Sequence, residues 1–329
     1  MNAKISRKLF KKALIGIPLA LIIIIVLSAT TNSFLCHQES KDLENAYGHR
    51  VQVDGKNMCI DVAGSGDQVV VLLSGWGSPS PVLDLRPLAA NLDDKYTVIT
   101  AEYFGYGLSD DTNSDRSVEN ITYELHRALK EMGYNNYTLM AHSISGLYGL
   151  YYANMYPNEV KSFVGIDTSV ANEDDLEASM QESLSYGNTL RTLNKLGIIR
   201  LLSVIDPSSI IPEASGYQRS EEEQELLRKM YLNRLLSQNA MNEMEMLEEN
   251  CNKLSGMKFP DNVPVLFFIS SENVETTSGW KEKHVEQFGN NGKNKLIVLN
   301  GSHYLYNEYA PEICNTFKEW DSAEQIDQS

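Results

Sequence analysis

Residues 69–73 (VVVLL), 96–101 (YTVITA), 137–140 (YTLM), 162–166 (SFVGI), 265–269 (VLFFI) and 295–299 (KLIVL) are short, unbroken apolar runs, several of them rich in β-branched side chains. A strand with one wet face would alternate apolar and polar residues. Unbroken runs of this length instead suit strands covered on both faces, as in a parallel sheet. Helical patterns lie between the runs. The clearest is 117–132, where Val118, Ile121, Leu125, Leu129 and Met132 recur at helical spacing. Alternation of the two predicts an α/β architecture with a largely parallel central sheet flanked by helices. At 329 residues and 42% apolar composition, the chain can bury a full core.

A hairpin is expected ahead of these runs, with residues 50–53 and 56–62 flanking Asp54-Gly55, a dipeptide suited to a tight primed turn. The rhythm breaks at 170–256, a stretch rich in Glu, Met, Leu and Asn with helical runs at 221–238 and 241–254. Its position predicts a helical cap inserted over one edge of the sheet, dividing the core into 49–169 and 257–329.

The N-terminus carries a different signal. Lys4, Arg7, Lys8, Lys11 and Lys12 fall within residues 1–12, and residues 13–29 (ALIGIPLALIIIIVLSA) form an uncharged apolar run. As a helix this run spans about 26 Å, near the short limit for crossing a bilayer. The basic cluster lies before it and residues 30–39 contain no Lys or Arg. The positive-inside rule then places 1–12 in the cytoplasm and the rest of the chain outside the cell membrane, as a single-pass protein. Without a small-x-small cleavage site, an uncleaved signal anchor is expected over a removed signal peptide. Residues 30–48 are polar and mixed, and read as a stalk.

The formal charge is −16, and beyond residue 12 the chain has 23 basic against 44 acidic side chains, a net of −21. Such a body repels phosphate backbones and anionic lipid surfaces, which argues against a nucleic-acid partner. Cys36, Cys59, Cys251 and Cys314 are scattered, without the close pairs of a zinc site.

The segment most informative about chemistry is 137–146 (YTLMAHSISG), a strand running into a helix with Ser143 at the turn. It resembles the nucleophile elbow of the α/β-hydrolases, G-x-S-x-G, in which the serine sits on a strained turn at the carboxyl edge of the sheet. Ala141 and Ser145 replace the two glycines, and both are small enough for strand and helix to approach closely. Ser74-Gly75-Trp76-Gly77, after the first parallel strand, resembles the family's His-Gly-x-Gly turn. Residues 102–110 (EYFGYGLSD) resemble its Asp-x-x-Gly-x-Gly-x-Ser segment. The resemblance covers roughly 50–168 and 260–320, and the insertion matches no familiar pattern.

What the resemblance implies is a serine hydrolase cleaving an ester or related acyl substrate through an acyl-serine, with no metal or organic cofactor. Ser143 would be the nucleophile, and the N–H groups of Trp76 and Ile144 would form the oxyanion hole. His303, in 300–304 (NGSHY) after the last strand, stands where the family's catalytic histidine belongs. Of the other histidines, His142 is expected to point away from Ser143, and His284 to be packed or solvated in a helix. The orienting acid is ambiguous: Glu272 follows the strand at 265–269, and Asp167 is the alternative. An epoxide hydrolase or dehalogenase would need Asp in place of Ser143. A prolyl-iminopeptidase-like or amide hydrolase acting on a peptide, and a non-catalytic binding protein on the same scaffold, remain open.

Overall fold

The computed structural model describes residues 2–172 and 176–326. The basic side chains of 1–12, residues 173–175 at the start of the expected cap and residues 327–329 lie outside what is described. The chain opens with a long helix, α1 (Asn2–Leu43), then the hairpin β1 (His49–Val53) and β2 (Lys56–Ala63). Next come β3 (Gln68–Leu73), short helices α2 (Pro81–Asp84) and α3 (Arg86–Ala90), and β4 (Tyr96–Glu102). The first core segment closes with α4 (Val118–Glu131), β5 (Tyr137–His142), α5 (Ser145–Met155) and β6 (Val160–Ile166). Helices α6 (Leu176–Lys195), α7 (Ile198–Ile205), α8 (Glu221–Arg234), α9 (Gln238–Glu245) and α10 (Leu247–Leu254) form the insertion. The alternation resumes with β7 (Val265–Ser270), α11 (Ser271–Thr276), α12 (Trp280–Glu286), β8 (Lys295–Leu299), α13 (Leu305–Glu308) and α14 (Ala310–Ile326).

The strands form one sheet in the order β1-β2-β4-β3-β5-β6-β7-β8. β2 pairs antiparallel with β1 and β4, and every later pairing is parallel. All six apolar runs are strands, as their lack of alternation requires. The expectation of burial on both faces fails only at β8, where Lys295 and Val298 are exposed. An edge strand has one neighbour, and its covering helices need not reach past it.

Helices cover both faces of the sheet. On one, α4 buries Val118, Ile121, Leu125 and Leu129 completely. Each such side chain contributes about 1.5–3 kcal/mol of hydrophobic stabilisation. Ser117 caps this helix, its hydroxyl accepting from the Asn120 N–H at 3.3 Å. On the other face, Leu88, Ile313 and Phe317 pack over Val70, Leu72 and Phe268.

Two sequence boundaries move. Residues 30–43, expected as part of a stalk, continue α1, and their polar side chains have partners on the insertion. Asn32 donates to the Asn194 carbonyl at 2.8 Å, Arg200 donates twice to Glu39 at 2.6 and 2.7 Å, and Lys229 meets Asp42 at 3.0 Å. Leu43 is buried with Leu83, Leu227 and Met230. Mixed polarity resembles a linker when the surface it pairs with is not visible. In the insertion, the helix expected over 221–238 stops at Arg234, because Ser237 caps a new helix by accepting from the Ala240 N–H. Among the described residues, one helix is long and apolar enough to cross a membrane, over Gly16–Leu43, and its residues 17–27 are largely exposed.

Candidate active site

The carboxyl ends of the parallel strands converge on one crevice, which is where open α/β sheets build sites. β5 delivers Ser143 in the step before α5. Its φ is +55°, a left-handed conformation rare for a residue with a Cβ and costing about 1–3 kcal/mol. That turn projects Oγ off the strand end. β3 and β5 are neighbours, with Leu73 opposite Ala141, so the turn after β3 lies beside the serine. Gly75 is required there: a Cβ would lie 2.7 Å from His142 Nδ1 and 2.9 Å from Ser143 Cβ.

Three contacts hold that turn. Ser145, standing where the elbow pattern has glycine, is fully buried, and its hydroxyl donates to the Ser74 carbonyl at 2.5 Å. Trp76 Nε1 donates to Ala240 of α9 at 2.6 Å, and the Gly77 N–H donates to the Tyr106 hydroxyl at 3.2 Å. Among the described residues, the backbone N–H groups of Trp76 and Ile144 donate to no protein acceptor. Both residues line the cavity that holds Ser143 and His303.

His303, in the loop after β8, reaches the serine from three strands away. Its Nε2 lies 3.0 Å from Ser143 Oγ, and its Nδ1 lies 2.8 Å from Asp167 Oδ2. A carboxylate acceptor at Nδ1 places the proton there and leaves Nε2 free to accept from the hydroxyl. The two candidate acids therefore separate. Asp167, at the end of β6, is fully buried and touches the ring. Glu272, the first choice from sequence, is exposed in the first turn of α11, and its carboxylate accepts from the His303 backbone N–H at 3.0 Å. The reason is register: β6 is the neighbour of β5, and Asp167, at φ +44°, turns its side chain across the end of β7.

Asp167 collects further donors that sequence reasoning did not single out for this role. The Ser270 N–H and hydroxyl lie at 2.8 and 2.9 Å, Asn273 Nδ2 at 2.6 Å and Trp280 Nε1 at 3.2 Å. Burial alone would raise its pKa, but hydrogen bonds from His303 and Ser270 outweigh that and hold it below the ordinary value.

His142 does not point away from the site as expected. It is buried, with its ring centroid 4.7 Å from that of His303 and its Nε2 3.1 Å from the His303 carbonyl. An acceptor there makes Nε2 the donor and the ring neutral. Burial, reinforced by the neighbouring His303, depresses its pKa to about 3. In the unfolded chain the same ring binds a proton below about pH 6.5. The unfolded state thus holds more protons between pH 6.5 and 3, and stability falls as pH drops through that window. Urea unfolding at pH 7 and pH 4 is expected to differ by less in His142→Gln than in the wild type, by on the order of a few kcal/mol. His284 is packed, its Nδ1 against the Trp280 carbonyl and its Nε2 against the Thr168 carbonyl.

The cavity above Ser143 has a volume of about 430 Å³. The core supplies Trp76, His303 and Tyr306, and the insertion supplies Tyr186, Leu190, Tyr231 and Met244. Asp84 also lines it. Burial raises its pKa to about 6, and the Ser78 hydroxyl donates to it.

Residues 68–195 match the family model described as alpha/beta hydrolase fold. Among curated proteins, the chain is 25% identical over 300 residues to the uncharacterised protein YbdG of Bacillus subtilis (strain 168), covering 86% of this chain and 89% of that one. It is 30% identical over 124 residues to a cis-3-alkyl-4-alkyloxetan-2-one decarboxylase of Shewanella oneidensis, covering 36% and 38% of the two chains. Among solved structures, epoxide hydrolase I of potato (Solanum tuberosum) superposes with a TM-score of 0.66 at 18% identity, over 84% of this chain and 98% of that one. That likeness is one of fold.

Proposed function

We propose, from the premise that this chain belongs to the α/β-hydrolase fold family, that it is a membrane-anchored serine hydrolase acting on an ester or related acyl substrate. The observation that carries the reading is the relay from Asp167 through His303 to Ser143, with contacts of 2.8 and 3.0 Å. The elbow residue being Ser favours this chemistry over epoxide opening, which in this fold uses a carboxylate nucleophile at that point.

The steps follow from the geometry. His303 Nε2 takes the Ser143 proton as Oγ attacks the substrate carbonyl carbon, and the carbonyl oxygen becomes an oxyanion. The N–H groups of Trp76 and Ile144 serve as its donors, worth about 3–4 kcal/mol apiece in comparable sites. His303 then passes the proton to the leaving oxygen, and the C–O bond breaks to leave an acyl-serine. A water molecule, deprotonated by the same imidazole, attacks that ester, and the proton returns to Oγ as the acid departs. Asp167 keeps the ring in the required tautomer and balances its transient positive charge. Glu272 acts on the backbone, holding the 300–303 loop. The apolar part of α1, residues 13–29, would serve as the anchor, with the core and cap (170–256) outside the cell membrane.

Fluorophosphonate labelling of the full chain in detergent tests this directly, with the adduct located by peptide mass spectrometry. The expected result is a single adduct on Ser143, lost in Ser143→Ala and reduced at least 100-fold in rate in His303→Ala. Folded wild type that stays unlabelled would move the chain to a non-catalytic binding protein on this scaffold.

A further inference from the structure

The helix α7 carries five large apolar side chains that the protein leaves in solvent. Ile198, Leu201, Leu202, Val204 and Ile205 are 37 to 72% exposed, within an eight-residue helix. Its inward residues are Ile199 and Ser203, both buried, so the helix has a protein side and a bare apolar side. Isolated exposed apolar residues are ordinary, but a contiguous face of this kind marks a contact surface.

Its position relative to α1 identifies what covers it. Asn194 of α6 accepts from Asn32 at 2.8 Å, and Leu196 accepts from the Ser28 hydroxyl at 2.7 Å. The end of α6 therefore descends along α1 toward the apolar span, whose exposed residues run through Leu27. Gly197, at φ +77°, turns the chain, and a Cβ there would lie 2.7 Å from Ser28 Oγ. α7 thus begins one residue beyond the exposed span. Arg200 on α7 reaches back along α1, donating to Asn32 at 2.7 Å and to Glu39. Its guanidinium thus lies on the side of Ser28 away from the exposed span, paired with Glu39, while the apolar side chains around it on α7 stay bare.

We propose that the bare face of α7 is embedded in the membrane surface from which α1 emerges, giving the cap a second, monotopic contact with the bilayer. This rests on α1 being the membrane anchor. The occupant is lipid, because the face is continuous with a helix face of the length and character that lipid covers. The contact is hydrophobic, since a body with net charge −21 gains nothing from anionic headgroups. One consequence concerns the site: Tyr186 and Leu190 of α6 line the cavity, and Leu190 is eight residues before α7, about 12 Å at helical rise. A docked α7 therefore holds the cap side of the cavity close to the lipid surface, a position suited to acyl substrates that partition into membranes.

Cysteines introduced one at a time at Leu201, Ile205, Leu21 and Glu131, in a full-length Cys36→Ser background whose remaining Cys59, Cys251 and Cys314 are buried, labelled with an NBD fluorophore under native conditions and reconstituted in phosphatidylcholine vesicles, test the proposal. Leu21 reports the span, and Glu131 is an exposed residue at the end of α4. Labels at Leu201 and Ile205 are expected to be several-fold brighter than that at Glu131, and to be quenched by nitroxide lipids whether or not salt is raised. Bright, quenched label at Leu21 with dark, unquenched labels at Leu201 and Ile205 would overturn the docking while leaving the anchor intact. An unquenched label at Leu21 would remove the anchor and the proposal with it. Equal quenching at Glu131 would mean unspecific adsorption, and would also overturn it.

Discussion

Asp167→Asn is expected to lower kcat for an acyl ester by roughly 10⁴-fold, with Glu272→Gln changing it by less than about 10-fold. The asymmetry follows from which atoms each carboxylate meets. Asp167 accepts from the imidazole Nδ1–H, so an amide in its place offers the ring a donor and favours the tautomer protonated at Nε2. That tautomer cannot accept the Ser143 proton. Glu272 meets only the His303 backbone N–H from an exposed position, where a glutamine oxygen accepts almost as well. Steady-state rates for the two variants, with far-ultraviolet circular dichroism to show that both are folded, decide the matter. A larger loss in Glu272→Gln would reassign the acid.

Glu243→Ala is expected to cost about 3–5 kcal/mol of stability and to lower kcat as well. Glu243 lies on α9 in the cap and is fully buried. The hydroxyls of Tyr106 and Tyr148 each donate to it at 2.6 Å, one on each oxygen. Burial raises its pKa, and the buried Arg116 nearby offsets part of that. Removing the carboxylate leaves two buried phenols without acceptors and Arg116 with one fewer counter-charge. The effect on rate arises one bond further on. Tyr106 also accepts the Gly77 N–H, so freeing its hydroxyl from Glu243 loosens one of the three contacts that hold the turn carrying Trp76. Urea unfolding together with kcat and KM checks both halves. Glu243→Gln retains one acceptor and is expected to fall between. Unchanged stability in Glu243→Ala would show that the cap and core are not joined through this cluster.

The structure also separates two kinds of information in the chain. Ser143 and His303, which the structure brings within 3.0 Å, could be singled out as candidates because each is tied to a local pattern, a small-residue elbow in one case and the loop after the last strand in the other. The acid could not. Asp167 ends one apolar run and Glu272 follows another, and local sequence put Glu272 first. Ser145 was read as a tolerated replacement for glycine, yet it ties the elbow to the neighbouring turn. Glu243 and Trp280 were not singled out, because their partners lie more than 80 residues away in the chain.

Local periodicity determined the strands, the flanking helices, the existence of a cap and the apolar N-terminal span, since each depends on side chains within one or two turns of one another. Strand order, which of Asp167 and Glu272 meets the His303 ring, the docking of residues 30–43 onto the cap and the placement of α7 beside Ser28 were decided only by tertiary structure. Those features depend on which elements become neighbours, and that is a property of the packed sheet as a whole that no single segment encodes.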